Sequence, residues 1–392
     1  MSTADYNRLF VPTYNRSGAP MVKGSGVKIY DSENNEYLDF GSGIAVNALG
    51  HCHPLLHEAL LHQASELVHA SNLYFTEAQI VFAEKLIKHS FADKVFLCNS
   101  GTEANEAAIK FARKWAKKIS PQKFHVLSFS EGFHGRTYGA LGATSQSKFH
   151  MGFEPMPQGF HYCPFNDFES AKKILDSEEF AAVIVEPLQG EGGINCATTV
   201  FLRQLREYTH KHSIALIFDE IQCGIGRTGT LWHYEQHNVI PDIMTVAKPL
   251  GGGLPLGATL CTEEISSAIT PGDHGTTFGG NPLACALGTQ ILDTISDPVF
   301  LRRVKINGAW LKEKLVDVAR KYDIIESVRG EGFLLGVRFK DNPQHIVQQC
   351  RDKGLLLINA NLNTVRFLPP LIVTQEEINS AVGIFERVLS SL

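Results

Sequence analysis

Pro241-Asp-Ile-Met-Thr-Val-Ala-Lys248-Pro-Leu-Gly-Gly-Gly253 is the stretch that decides the fold. Its apolar run, Ile243–Ala247, predicts a short buried strand, and a glycine-rich turn follows. In an open α/β sheet, the carboxyl end of such a strand opens into the ligand crevice. A lysine desolvated there has a lowered pKa and can act as a nucleophile towards an aldehyde. The alternative is that Lys248 extends its ammonium group to solvent.

Length and composition are those of an ordinary globular protein. The 392 residues are 44% hydrophobic and 20% charged, with a formal net charge of −5, which allows a large core and disfavours a nucleic-acid-binding surface. No apolar run approaches the roughly 20 residues of a transmembrane helix. Met1–Arg16 contain no apolar segment typical of a secretory signal. We therefore expect a cytoplasmic protein with neither nucleic acid nor membrane as a partner.

The cysteines and histidines do not predict a metal site. The 8 cysteines form no C-x-x-C pair, so we expect scattered free thiols. His51-Cys52-His53 has suitable residue types, but adjacent residues do not converge easily on one tetrahedral ion. Pro54 instead predicts the start of a helix there.

An alternation of strands and helices begins at Lys94 and predicts a mostly parallel sheet covered by helices. Its predicted strands are Val95–Cys98, His125–Phe129, Ala181–Val185, Ile214–Phe218, Ile243–Ala247 and Gly257–Cys261. After Pro298 the pattern changes to a long charged helix and short strands, including Leu356–Ile358. We predict an α/β protein with an N-terminal arm and small-domain segment (1–50), a large domain (51–297) and a smaller α+β domain (298–392).

Asp219 follows another apolar strand, Ile214–Phe218, and would enter the same crevice as Lys248 if the two strands are neighbours. An ionised aspartate in a dry pocket needs a cationic partner or hydrogen-bond donors. A protonated pyridine nitrogen supplies such a partner, so the aspartate and lysine together match a pyridoxal phosphate site. The alternative is that Asp219 caps a turn or a helix.

Ser100-Gly101-Thr102 lies between a predicted strand and the predicted helix Ala104–Lys117. Backbone N–H groups at a helix start, together with two hydroxyls, can bind a phosphate. A plain helix cap with Glu103 beside it explains the same residues.

Two glycine patterns are rejected as nucleotide motifs. Gly224-Ile-Gly-Arg-Thr-Gly229 does not open a helix directly after a strand, as a dinucleotide fingerprint does. Gly251-Gly-Gly253 is not followed by the lysine and hydroxyl residue of a P-loop.

A series of spaced blocks resembles the class III, fold-type I, pyridoxal phosphate aminotransferases over essentially the whole chain. The blocks are Asn99-Ser-Gly-Thr-Glu-Ala-Asn-Glu106, Gly132-Phe-His-Gly-Arg136, Val185-Glu-Pro-Leu-Gln-Gly-Glu-Gly-Gly193, Phe218-Asp-Glu-Ile-Gln-Cys-Gly-Ile-Gly-Arg-Thr-Gly229, Ala247-Lys-Pro-Leu-Gly-Gly-Gly253, His274-Gly-Thr-Thr-Phe-Gly-Gly-Asn-Pro282 and Val365-Arg-Phe-Leu-Pro-Pro-Leu371. Within the class, Gly43-Ile-Ala-Val-Asn-Ala-Leu-Gly-His-Cys-His-Pro54 and Pro164-Phe-Asn-Asp167 are most similar to the acetylornithine aminotransferases.

The resemblance implies a role for each matching residue. Lys248 would bind the cofactor covalently and then carry a proton, while Asp219 would pair with the ring nitrogen. The remaining cofactor-binding residues would be Gly101 and Thr102 at the phosphate, Gln222 near the ring hydroxyl, Phe133 stacked on the ring, and Thr277 contributed by the other subunit. The substrate-binding residues would be Arg136 at the distal carboxylate, Arg366 at the α-carboxylate of glutamate, Glu191 paired with that arginine, and Thr276.

The implied reaction moves the δ-amino group of N-acetylornithine to 2-oxoglutarate, in a homodimer with shared active sites. Succinylornithine, free ornithine and 4-aminobutyrate remain alternative donors, although Gly41-Ser-Gly-Ile44 lacks the tyrosine usual in ornithine aminotransferases. Loss of Arg366 or Glu191 would favour aminomutase or racemase chemistry, and loss of Lys248 or Asp219 a non-catalytic protein. All of these residues are present.

Overall fold

The computed structural model describes residues 6–361 and 363–392, so residues 1–5 of the predicted N-terminal arm lie outside the described residues. The strands, in chain order, are β1 (Met21–Ser25), β2 (Lys28–Asp31), β3 (Glu36–Asp39), β4 (Lys94–Cys98), β5 (His125–Phe129), β6 (Phe160–Cys163), β7 (Phe180–Val185), β8 (Leu188–Gln189), β9 (Asn195–Cys196), β10 (Ala215–Asp219), β11 (Ile243–Val246), β12 (Gly257–Cys261), β13 (Ile325–Glu331), β14 (Leu334–Phe339), β15 (Leu355–Leu356), β16 (Ile358–Ala360) and β17 (Thr364–Phe367).

The helices are α1 (Ser42–Ala45), α2 (Pro54–Glu66), α3 (Glu77–Lys88), α4 (Gly101–Ile119), α5 (Tyr138–Ala143), α6 (Phe168–Leu175), α7 (Thr199–Lys211), α8 (Glu263–Ser266), α9 (Pro282–Ile295), α10 (Pro298–Ala319), α11 (Gln344–Asp352) and α12 (Gln375–Leu389). Short 3-10 turns span Ser147–Phe149, His233–Gln236 and Lys248–Gly251. None of the described helices is both long and apolar enough to cross a membrane.

A seven-stranded sheet of order β4-β12-β11-β10-β7-β5-β6 carries the candidate site. The prediction of a mostly parallel sheet is confirmed, because β11, β10, β7, β5 and β6 run parallel to their neighbours along this series. Strand β12 is antiparallel to both β11 and β4. Only residues 247–256 connect β11 to β12, too few for the helical crossover that a parallel pair requires. Every residue of β7 is buried, as expected of a central parallel strand.

Two smaller four-stranded sheets lie outside this core. One has the order β1-β2-β3-β15 and therefore joins residues 21–39 to a segment near residue 355, which supports assigning the N-terminal segment to the smaller domain. The other has the order β13-β14-β17-β16. The predicted strand Leu356–Ile358 is wrong as a single element, because the chain changes sheets at Leu357. The boundaries at residues 50 and 297 stay predictions.

Candidate active site

Lys248 lies directly beyond β11, at the first position of a 3-10 turn. Its backbone φ of 37° is in the left-handed region, which costs a non-glycine residue about 1–3 kcal/mol. The side chain lines an interior cavity of about 560 Å³. Enclosure by protein lowers the pKa of Lys248, although the negative charges of Glu191 and Asp219 oppose that shift. Lys248 is half-buried at the strand end, lines the cavity and has a lowered pKa, as the strand end predicts, while its catalytic role stays a prediction.

Asp219 ends β10, the parallel neighbour of β11, and is only 3% exposed. Its Oδ2 accepts hydrogen bonds from Asn105 Nδ2 and His134 Nδ1, each at 2.8 Å, and its Oδ1 accepts one from the Ile221 N–H at 3.1 Å. Burial lowers the pKa of His134, but the hydrogen bond and charge of Asp219 outweigh burial and raise it. The carboxylate is thus held by donors and still borders the cavity.

Sequence reasoning assigned no role to Asn105 or His134. Asn105 is fixed in turn by Thr245, whose hydroxyl donates to Asn105 Oδ1 at 2.7 Å. Asn105 and His134 both lie inside sequence blocks that resemble the aminotransferases, and that position is the signal in the sequence that could have identified them.

The N-terminus of α4 forms another wall of the cavity. The Ser100 side chain caps this helix by accepting a hydrogen bond from the Glu103 N–H, so the cap interpretation is correct for Ser100. The N–H groups of Gly101 and Thr102 belong to the first turn, which has no carbonyl partners within the helix. A Cβ on Gly101 would lie 2.8 Å from Ile221, so glycine permits this close approach. The Ser100 cap therefore leaves the N–H groups of Gly101 and Thr102 to face the cavity wall, and phosphate binding there stays a prediction.

A charged pair of Arg366 and Glu191 contributes Glu191 to the wall of the same cavity. Arg366 is 1% exposed, and its Nη1 is 2.6 Å from Glu191 Oε1 and 3.0 Å from Gln222 Oε1. Burial raises the pKa of Glu191, but the positive charges of Arg366 and Lys248 outweigh it and hold that pKa below its ordinary value. The lowered pKa of Glu191 and the 2.6 Å contact are those expected of a charge-assisted ion pair. Gln222, expected near the ring hydroxyl of a cofactor, also contacts the arginine.

Glu186 is a buried carboxyl group that the sequence did not single out. Its Oε2 accepts from the Phe133 N–H at 3.0 Å and its Oε1 from the Gly190 N–H at 3.1 Å, so it joins two loops of the cavity wall. Burial, aided by the charge of Asp219 and opposed by His134, raises the pKa of Glu186 to about 7.

Arg136 lies at another part of the cavity and is exposed. Its guanidinium carbon is 4.1 Å from the centre of the Phe149 ring and 5.5 Å from that of Phe133. The threonines predicted with it lie elsewhere: Thr276 and Thr277 line a different cavity of about 760 Å³, and the described residues around the lysine include neither. The prediction that Thr277 serves the other subunit's site stays a prediction.

These residues fit pyridoxal phosphate by the chemistry of their donors. A buried carboxylate suits a cationic ring nitrogen, a desolvated lysine suits an aldehyde, and free N–H groups at a helix start suit a phosphate. The sequence matches the family Aminotransferase class-III over residues 12–389. The chain is a class III aminotransferase. Enzymes of this class depend on pyridoxal phosphate, so this aminotransferase is a pyridoxal phosphate enzyme.

Relatives of this aminotransferase cover nearly the whole chain. It is 46% identical over 387 residues to the acetylornithine aminotransferase of Caldanaerobacter subterraneus subsp. tengcongensis, covering 98% of each chain. The crystal structure of the ornithine aminotransferase of Toxoplasma gondii, with partial occupancy of pyridoxal phosphate at its active site, gives a TM-score of 0.94 at 32% identity, covering 99% of this chain and 94% of that one. The crystal structure of the N-acetylornithine aminotransferase of Stenotrophomonas maltophilia gives a TM-score of 0.86 at 32% identity, covering 99% of this chain and 98% of that one. The expected fold-type I architecture is confirmed.

Proposed function

We propose that this aminotransferase transfers the δ-amino group of N2-acetyl-L-ornithine to 2-oxoglutarate, giving N-acetyl-L-glutamate 5-semialdehyde and L-glutamate, in arginine biosynthesis. The observation that carries the proposal is the 2.6 Å contact between Arg366 and Glu191, of which Glu191 lines the same cavity as Lys248. The name of the 46% identical relative supports the same donor. Similarity of fold does not separate acetylornithine from ornithine, because relatives named for each superpose closely.

Bound pyridoxal phosphate supplies an aldehyde to receive the amino group and a cationic ring to accept the electrons of the broken bond. Lys248 Nζ would hold that aldehyde covalently, with loss of water, until the amino group of the substrate displaces it. The freed amine would then carry the proton removed from the substrate carbon. Asp219 would keep the ring nitrogen protonated, and the N–H groups of Gly101 and Thr102 would bind the phosphate. Gln222 would lie near the ring hydroxyl, and Phe133 would stack on the ring.

The two substrates differ beside the reacting carbon. Glutamate carries a carboxylate next to its amino group, whereas N-acetylornithine presents an unbranched δ-carbon. Glu191 would neutralise Arg366 during the acetylornithine half-reaction by a charge-assisted pair. The carboxylate of 2-oxoglutarate would then displace Glu191 and bind Arg366. Arg136 would bind the distal carboxylate of both substrates. The substrate-binding role of Thr276 stays a prediction, because Thr276 lines the second cavity.

The experiment that tests this function is a panel of amino donors with 2-oxoglutarate, compared by kcat/KM. We expect N-acetylornithine to exceed N-succinylornithine, ornithine and 4-aminobutyrate. A higher kcat/KM for ornithine or 4-aminobutyrate than for N-acetylornithine would contradict the proposed donor and leave the aminotransferase class unchanged.

Replacing Glu191 by alanine should affect the two half-reactions differently. We expect the acetylornithine half-reaction to slow about tenfold, because a charge-assisted hydrogen bond contributes about 1.5–3 kcal/mol and Arg366 would lose its neutralising partner. The glutamate half-reaction should be unchanged or faster. Single-turnover kinetics on each half separates the two, and Glu191→Gln tests whether charge or shape is responsible. Equal slowing of both halves would mean that Glu191 only supports the loop.

We also propose a cytoplasmic homodimer with shared active sites. The segment Leu73–Phe75 has large apolar side chains that are strongly exposed, with Leu73 at 86% and Phe75 at 93%, and it lies beside Thr277 along the second cavity. A second subunit covering this segment would bring Thr277 to the partner's phosphate site. The 8 free cysteines suit a reducing compartment. A monomeric mass in solution at assay concentrations would contradict the shared site.

A further inference from the structure

An aromatic pair supports the guanidinium group of Arg136. Phe149 and Phe133 meet edge to face, with ring centres 5.6 Å apart and planes at 76°. Arg136 lies over the Phe149 ring at 4.1 Å, well within the distance at which a cation is attracted by an aromatic face. Lys148 places a second cation 5.0 Å from the same ring. We call Phe133 and Phe149 the aromatic shelf.

The turn that carries Phe149 is tied to the body of the protein. The Phe149 N–H donates to the Gln146 carbonyl at 3.0 Å. The next residue, His150, uses Nε2 to contact the carbonyls of Leu141 and Thr144 at the end of α5, at 3.0 and 2.7 Å. The ring is therefore held by a fixed turn, and it limits the orientations that the otherwise exposed Arg136 can adopt.

Two positive charges, those of Arg136 and Lys148, lie over the Phe149 ring. Arg136 is not part of any ion pair between described residues, and Lys148 adds its charge to the same side. A free α-ammonium group beside these two cations would be repelled. Glu186, a carboxyl group that contacts the shelf, already accepts hydrogen bonds from the N–H groups of Phe133 and Gly190. The acylated α-nitrogen of N-acetylornithine is uncharged, and the methyl group of its acetyl group can pack on an aromatic ring.

We propose that Phe149 is a positioning and specificity-determining residue: it orients Arg136 for the distal carboxylate, and its shelf favours N-acylated amino donors over donors with a free α-ammonium group. This inference rests on the proposed function, because it takes Arg136 as the residue that binds the carboxylate. It adds the reason why the acylated donor is preferred.

The test measures binding of glutarate, a dicarboxylate that cannot react, to the holoenzyme by calorimetry. Phe149→Leu should raise the Kd of glutarate about fivefold, the loss expected from one exposed cation–π contact. Phe149→Tyr keeps the aromatic face and should restore binding. Phe153→Leu is the matched control, since Phe153 is exposed in the same segment and should leave the Kd unchanged.

A double-variant comparison shows whether Phe149 acts through the arginine. In the Arg136→Ala background, Phe149→Leu should have no further effect on glutarate. In the wild-type background it should also lower the ratio of kcat/KM for N-acetylornithine to that for ornithine. The same fivefold loss with and without Arg136, or an unchanged donor ratio, would overturn the proposal. The glutarate result does not depend on which donor the wild-type enzyme prefers, so failure of the proposed function would be recognised separately from the donor panel.

Discussion

Replacing Lys248 by alanine should abolish turnover and leave a folded protein that still binds pyridoxal phosphate. The loss in kcat should be at least about 10⁴-fold, because the variant lacks both the nucleophile and the group that moves the proton, and proton transfer alone contributes about 10²–10⁴-fold. The measurement is kcat for both half-reactions, with cofactor content determined by absorbance. Substantial turnover by the alanine variant would remove Lys248 from the centre of the mechanism.

Lys248 should also lower the free energy of unfolding of the cofactor-free protein. Burial lowers the pKa of Lys248 in the folded state, so the unfolded chain binds its proton more readily. This destabilisation is fully present below the pKa that Lys248 has in the folded state. It disappears as the pH rises through the pKa that Lys248 has in the unfolded chain. We therefore expect Lys248→Met to raise the Tm of the cofactor-free protein at neutral pH, and the gain to vanish at high pH. Lys117→Met, at an exposed position, serves as control. A lower Tm for Lys248→Met would contradict the assignment of a desolvated charge.

Strands with continuous apolar sequence could be predicted well from the sequence. The bounds of β5 and β12 agree with the prediction to the residue. Strand β6 was missed because it is an edge strand whose side chains are mostly half-buried or exposed, which leaves no apolar run.

Helix α5 could not be predicted because its support is distant in sequence. The segment Tyr138–Ala143 contains two glycines, which disfavour a helix. The carboxylate of Glu106, on α4, accepts hydrogen bonds from the N–H groups of Gly139 and Ala140 and so satisfies the helix start. No local pattern encodes that contact.

The residues of the candidate site also fall into two groups, those that the sequence predicts and those that it does not. Lys248 and Asp219 follow from the chemistry of polar residues at strand ends, because adjacent parallel strands open at one edge. Asn105, His134 and Phe149 act through partners that only the folded chain brings near, such as the 2.8 Å contacts to Asp219.

Replacing Asp219 should reduce kcat far more than cofactor binding. Asp219→Asn keeps an oxygen for the donors of Asn105 and His134 but removes the charge that would hold the proton on the ring nitrogen. That charge matters most when electrons move into the ring in the transition state, so we expect a loss of about 10³-fold in kcat, the upper range for one electrostatic contact in an active site. Asp219→Ala should lose at least as much and also destabilise the fold by about 2–6 kcal/mol, because two buried donors lose their acceptor at about 1–3 kcal/mol each.

Glu220 provides the matched control for this experiment. It is the next residue, fully buried, and its two oxygens accept from the N–H groups of His233 and Tyr234 rather than bordering the cavity. Burial raises the pKa of Glu220 to about 8. Glu220→Gln keeps one oxygen acceptor and changes no residue that lines the cavity. We expect Glu220→Gln to change stability more than kcat. Steady-state kcat and the Kd of pyridoxal phosphate, measured for all three variants, separate the roles. If Asp219→Asn lost cofactor affinity and rate in equal measure, and excess cofactor restored the rate, Asp219 would be an anchor for the ring rather than the group that keeps its nitrogen protonated.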